Sequence, residues 1–134
     1  MNELDEVVQE FLVESYENLD QLEQDLLLLE EHPTSVETLS SVFRTVHTIK
    51  GTCGFLGYSK LEHVAHVGEN LLSKLRDRAF DLTPAMASAL LNLSDALREM
   101  LTSIENDGTE GTVDYTGLVD LLTALKDSGE AGTA

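Results

Sequence analysis

Apolar residues recur along this chain at three- and four-residue steps, in five separate runs. In the first, Val8, Leu12, Leu19, Leu22, Leu26 and Leu29 share one face of a 3.6-residue period, with acids on the other face. The pattern predicts a helix over 4–31, ended by His32-Pro33. Leu39, Val42, Phe43, Val46, Ile49 and Cys53 make a second stripe, over 34–55, opened by a capping box of Thr34 and Glu37 and stopping near Gly54 to Gly57. A second such box, Ser59 and Glu62, opens a helix over 59–78 with Leu61, Val64, Ala65, Gly68, Leu71, Leu72 and Leu75 apolar. Thr83-Pro84 reads as N-cap and first helical residue of a fourth, over 84–105, which carries Met86, Leu90, Leu93, Leu97, Met100 and Ile104. A shorter fifth helix is expected over 113–126, with Tyr115, Leu118, Val119, Leu122 and Leu125 apolar. No strand and no internal repeat stands out. The fold class expected is all-α: an antiparallel four-helix bundle with an additional C-terminal helix packed outside it. One domain over 1–127 is expected, with 128–134 (SGEAGTA) a flexible tail.

Composition narrows the function classes. At 134 residues, with 42% hydrophobic and 5% aromatic residues, the chain is long enough for one real core. The net charge of −17 disfavours nucleic acid and anionic membrane as partners. The longest aliphatic run, Leu26 to Leu29, is far too short to span a bilayer. The acidic N-terminus has the wrong sign for a signal peptide, and the lone Cys53 cannot form an internal disulfide, so a cytoplasmic location is expected. The charge is also unevenly laid out. Six of the eight basic residues lie between Arg44 and Arg78, beside only three acids, so that segment is about +3 and the remainder about −20. It is either scatter around a solvated hairpin or a local positive field for an acidic partner.

The positive segment contains an unusual helix. His47 falls on the shoulder of the second stripe, about a quarter to a third of a turn from its centre. Gly51 is one turn along, beside His47, and Gly54 lies near the same line. A mid-helix glycine costs about 0.5–1 kcal/mol relative to alanine. Here it removes side chains that would crowd the imidazole. Lys50 is three residues on. The local picture is an accessible imidazole, a bare backbone patch and an ammonium. From these residues alone, a surface histidine beside a helix C-cap at Gly54 describes the segment as well as an imidazole open to a large partner.

The run His47-Thr48-Ile49-Lys50-Gly51, continued by Gly54-Phe55-Leu56-Gly57 and flanked by Phe43-Arg44 and Tyr58, resembles the signature of the histidine phosphotransfer (HPt) family. His66-Val67-Gly68-Glu69-Asn70-Leu71-Leu72 is similar to the version at the N-terminus of CheA-type chemotaxis histidine kinases. The resemblance covers nearly the whole chain. It implies a four-helix bundle on which His47 accepts a phosphoryl group from the ATP-binding domain of a CheA-type kinase and passes it to an aspartate of a CheY-like or CheB-like response regulator. It also implies that Lys50, His66 and Glu69 support His47. If the flank of the third helix faces His47, Glu69 can accept the Nδ1–H and leave a lone pair on Nε2. Glu62 and Glu69 are also spaced to hydrogen-bond His66. Arg44, Gly51 and Gly54 are the docking surface expected for the partner.

No Gly-rich phosphate loop follows a strand here, so no cofactor is expected on this chain; ATP and Mg²⁺ would act through the kinase domain. The isolated domain is expected to be a non-catalytic monomer. Three other readings stand beside this one. They are a stand-alone phosphorelay protein, a non-catalytic helical interaction bundle, and a metal-binding bundle using Glu62, His66, Glu69 and His63. His63 and His32 read as surface residues.

Overall fold

The computed structural model describes residues 3–132, and the side chains of residues 6–131. Five α-helices follow one another: α1 (Glu3–Glu31), α2 (Val36–Leu56), α3 (Ser59–Arg76), α4 (Pro84–Asp107) and α5 (Thr116–Gly132). Helix α1 packs on α2 and α4, α2 on α3, and α3 on α4, which closes a ring of four; α5 lies outside, against α3 and α4. The all-α bundle with an outer fifth helix is therefore as expected.

The leucine run at the end of α1 shows how period makes the core. Leu26 and Leu29 are buried, while Leu27 and Leu28 between them face solvent. Phe11 joins the core from a position outside the stripe read from the sequence. One acid goes in as well. Asp25 is 5% exposed, and its carboxylate accepts from Ser41 Oγ at 2.7 Å and Gln21 Nε2 at 3.0 Å. These bonds replace the water it lost.

The helix ends differ from expectation in informative ways. The Ser35 amide donates to the His32 carbonyl at 3.1 Å and closes a turn over Pro33-Thr34. Ser35, not Thr34, is therefore the N-cap of α2, accepting the Thr38 amide at 3.3 Å. The Ser59–Glu62 box does not form either. The N-cap of α3 is Tyr58, which makes no side-chain cap bond, and the Leu61 amide instead donates to the Glu110 carboxylate from the loop before α5. Lys60 holds the same loop through the carbonyls of Gly111 (3.1 Å) and Val113 (2.8 Å). Thr83 caps α4 as read, taking the Met86 amide at 3.2 Å with Pro84 in the first turn.

At the far end, Asp114 accepts the Thr116 amide at 2.9 Å and keeps Val113 to Tyr115 out of α5. The flexible tail expected from Ser128 is instead helix as far as Gly132, and residues 133–134 lie outside the described residues. Its small polar composition gave no hint of what holds it. A Cβ on Gly129 would stand 2.7 Å from the Phe80 ring, and Glu130 pairs with Lys74 at 3.4 Å.

Candidate functional site

Helices α2 and α3 are joined by two residues, Gly57 and Tyr58. Gly57 takes φ +86°, a left-handed conformation that costs glycine little. Its amide bonds the Gly54 carbonyl at 3.2 Å and the next amide bonds Cys53 at 2.9 Å, so α2 stops cleanly and the chain reverses. So short a turn fixes the register of the hairpin. It sets Phe43 across from Arg76, His47 and Lys50 across from Glu69, and Gly54 across from Glu62.

The centre of this flank is His47. Its side chain is 60% exposed, and its Nδ1 lies 3.0 Å from Glu69 Oε2. Lys50 Nζ lies 3.1 Å from each Glu69 oxygen, and the Glu69 side chain is only 13% exposed. Burial pushes the Glu69 carboxyl up, but the hydrogen bonds and charges of His47 and Lys50 more than reverse this and hold it below its ordinary 4.5. Glu69 is thus an ionised acceptor. The imidazole must donate Nδ1–H to it, which leaves the lone pair on Nε2.

A second contact acts on the imidazole. The Phe43 ring is stacked on it, with centroids 5.9 Å apart and planes 9° from parallel. The Arg76 guanidinium lies 4.0 Å from the Phe43 centroid, a cation–π contact across the hairpin. Along the sequence Phe43 reads only as part of the apolar stripe, and Arg76 only as a charge.

The remaining candidates are arranged differently. Gly51 is bare: a Cβ there would meet nothing within 4 Å. Gly54 is covered, since a Cβ would stand 1.9 Å from Glu62 Oε2. His66 is exposed and, among the described residues, makes no hydrogen bond to His47, Glu62 or Glu69. The reason is that Glu69 is engaged by His47 and Lys50, and Glu62 reaches over Gly54. His66 instead lines a shallow recess of about 300 Å³ with Lys50, Glu62 and His63, next to the Glu69 pair. Arg44 is exposed on α2, its Nε 3.4 Å from the Ser40 carbonyl. Among the described residues no group of three or more His, Cys, Asp or Glu side chains is placed to hold a metal ion, and no helix is long and apolar enough to cross a membrane.

The Hpt domain family model matches residues 6–127 of the chain. The chain belongs to the Hpt domain family. This Hpt domain is 34% identical over 110 residues to the sensor histidine kinase CheAY of Helicobacter pylori, covering 82% of the chain and 14% of that protein. It is 36% identical over 104 residues to the chemotaxis protein CheA of Bacillus subtilis, covering 78% of the chain and 15% of that protein. The chain thus spans about a seventh of the length of these relatives. Among solved structures, the Hpt domain is similar to the phosphorylated P1 domain of CheA3 in complex with CheY6 from R. sphaeroides. The TM-score is 0.84 and the identity 30%, over 93% of this chain and 98% of that one. The solution structure of the histidine phosphotransfer domain of CheA matches with TM-score 0.81 and 27% identity, over 92% and 91% of the two chains.

Proposed function

We propose that this Hpt domain is the phosphoacceptor part of a CheA-type chemotaxis kinase, and that His47 is the residue phosphorylated. The observation that carries the reading is the 3.0 Å bond from His47 Nδ1 to Glu69, which leaves Nε2 with its lone pair on an exposed face. In the forward step that lone pair attacks the γ-phosphorus of ATP held with Mg²⁺ on a separate kinase domain. The N–P bond forms, the P–O bond to ADP breaks, and the imidazole becomes cationic. Glu69 stabilises that cation without receiving its proton. Lys50 keeps Glu69 oriented. In the second step an aspartate oxygen of a response regulator of the CheY or CheB kind attacks the phosphorus. The N–P electrons return to Nε2 and the imidazole is neutral again.

Supporting this reading, the positive stretch from Arg44 to Arg78 carries the site on a chain whose other residues total about −20. A carboxylate-rich acceptor is drawn to that stretch, which speeds encounter more than it tightens binding. Lys50 and His66 on the adjacent recess add donors for phosphoryl oxygens, and Arg44 and Gly51 form the docking face. Such exchange belongs in the cytoplasm, with the domain acting as a monomeric carrier.

The test is phosphorylation with a CheA kinase domain and labelled ATP. Wild-type chain takes one acid-labile phosphate and passes it to the regulator. His47→Gln stays folded, because that side chain is mostly exposed, and takes none. Label retained in His47→Gln, or mapped to His63 or His66, overturns the assignment.

A further inference from the structure

One line of α2 is left unexplained by the chemistry at His47. Arg44, Thr48, Gly51 and Phe55 recur at steps of four, three and four, and all four are exposed. At about 100° per residue they cluster on one side of the helix, with His47 on the shoulder of the line and Lys50 beyond it toward α3. The line is about 16 Å long at 1.5 Å per residue.

Its two ends are unlike. Phe55 is 85% exposed, whereas the other exposed large apolar side chains lie between 43% and 58%. It is the only aromatic among them, and it sits about 12 Å along the helix from His47. An aromatic ring left in water at this level buries little area in the fold, and Phe55 is outside the core cluster. At the other end, Arg44 has no carboxylate within ion-pair distance among the described residues, although the chain holds 25 acids. Arg76 pairs with Asp77, Arg98 with Asp20 and Glu23, and Lys50 with Glu69. Lys60 and Arg78 also lack a carboxylate among the described residues, but each donates to backbone carbonyls of a distant segment, whereas Arg44 reaches only Ser40 on its own helix. Between the ends Gly51 presents bare backbone.

We propose that this line is a two-point dock for the phosphoryl-accepting regulator. Arg44 meets the acids that surround the acceptor carboxylate, and Phe55 enters an apolar recess on the regulator about 12 Å from that carboxylate along the α2 axis. The proposal rests on the reading of His47 as phosphoacceptor and names how its partner is held. Two unlike contacts on either side of Gly51 fix which way round the partner sits, and orientation decides whether its carboxylate meets the phosphorus in line. A buried aromatic beside a charged contact is the usual make-up of an interface anchor. A second copy of this chain fits the line poorly. Two copies brought together here would each carry −17, and self-repulsion opposes their contact.

The experiment is single-turnover transfer from pre-phosphorylated domain to a CheY-type regulator, at increasing regulator concentration, with phosphorylation by the kinase domain followed separately. Phe55→Ser is expected to raise the half-saturating regulator concentration about tenfold while the limiting transfer rate stays within about twofold. Arg44→Gln is expected to slow association about threefold and to flatten its dependence on salt. Leu28→Ser, an equally apolar deletion far along α1, changes neither. Thermal melts keep loss of fold separate. Unchanged half-saturation in Phe55→Ser overturns the dock. So does a defect confined to kinase phosphorylation, or one confined to self-association of the chain. If the wild-type chain neither takes nor passes the phosphate, the reading of His47 fails, and the dock falls with it in the wild-type arm, before any variant is compared.

Discussion

The Phe43 ring lies parallel to the His47 imidazole, 5.9 Å centroid to centroid, one helical turn before it. This contact does what the Glu69 hydrogen bond cannot. A single N–H···O bond leaves the imidazole free to swivel about its own axis. A flat neighbour removes that freedom and holds the plane in which the Nε2 lone pair points. Phe43 is thus a positioning residue, backed by Arg76 from across the hairpin.

Replacing Phe43 with leucine keeps most of the buried volume and is expected to cost about 1 kcal/mol of stability. It should slow phosphorylation of His47 severalfold, with the KM for the kinase domain little changed, and Phe43→Tyr should restore the rate. The imidazole ¹⁵N shifts should still show the Nδ1–H tautomer that Glu69 holds, while the ring signals broaden as its orientation averages. Sharp ring signals and a normal rate would remove Phe43 from this role.

Glu69 links the site to acid stability. Its carboxyl is held below 4.5 in the folded chain, so the folded state binds its proton less readily than the unfolded state. The stabilisation is present above the unfolded value and is lost as pH falls through the lower folded value. Glu69→Gln should therefore melt lower than wild type at pH 7, and the two melting curves should converge as pH falls from 4.5 through the lower folded value. The same variant should accept phosphate more slowly, since an amide fixes the tautomer less well and does not offset the cationic imidazole. Parallel melting curves across that range would show that the carboxylate contributes nothing to the fold.

Cys53 offers a probe of the hairpin itself. Burial first, then the charges of Glu110 and Glu62, push its thiol up to about 12. A group raised in this way favours the folded state below its ordinary value of 9.0, and that contribution is lost as pH rises above 9.0 toward about 12. The thiol has no exposure, so it should resist thiol reagents in the native state and react only at the rate of hairpin opening. Fast labelling of native protein at pH 8 would contradict this packing.

The capping contact between Glu110 and Leu61 is also open to test. Glu110→Ala leaves an α3 amide without its partner and should cost about 1 kcal/mol, within the usual range for a lost cap. Urea denaturation of the variant beside wild type measures it. An unchanged midpoint would mean that water serves the amide equally well.

Much of this was legible in the residues. The periodicities located all five helices, because the buried face of each is written in its own sequence. The pairing of His47 with Glu69 was reachable because both lie on the flanks of their stripes. Gly57-Tyr58 allows so little slack that one flank must meet the other. What was missed depends on contacts between distant parts of the chain. Nothing near Ser59 says that its helix is capped by Glu110, and nothing in Ser128 to Gly132 says that Phe80 and Lys74 hold it as helix. Gly54 looked as bare as Gly51. Only the hairpin register shows that Glu62 covers one and nothing covers the other. The stack of Arg76, Phe43 and His47 was hidden for the same reason, since Arg76 enters from the opposite helix.

The loop that caps α3 has a consequence for portability. Glu110 and Lys60 tie the start of the helix bearing Glu69 to a segment that lies after the four-helix ring is complete. A module transplanted into another scaffold and trimmed to its four bundle helices would carry every residue of the His47 cluster. It would leave behind the latch on the helix that supplies the carboxylate. For engineering, the smallest self-sufficient Hpt unit is therefore set by mechanical closure of the α3 end rather than by the bundle, and includes the loop from Glu110 to Val113 that follows α4.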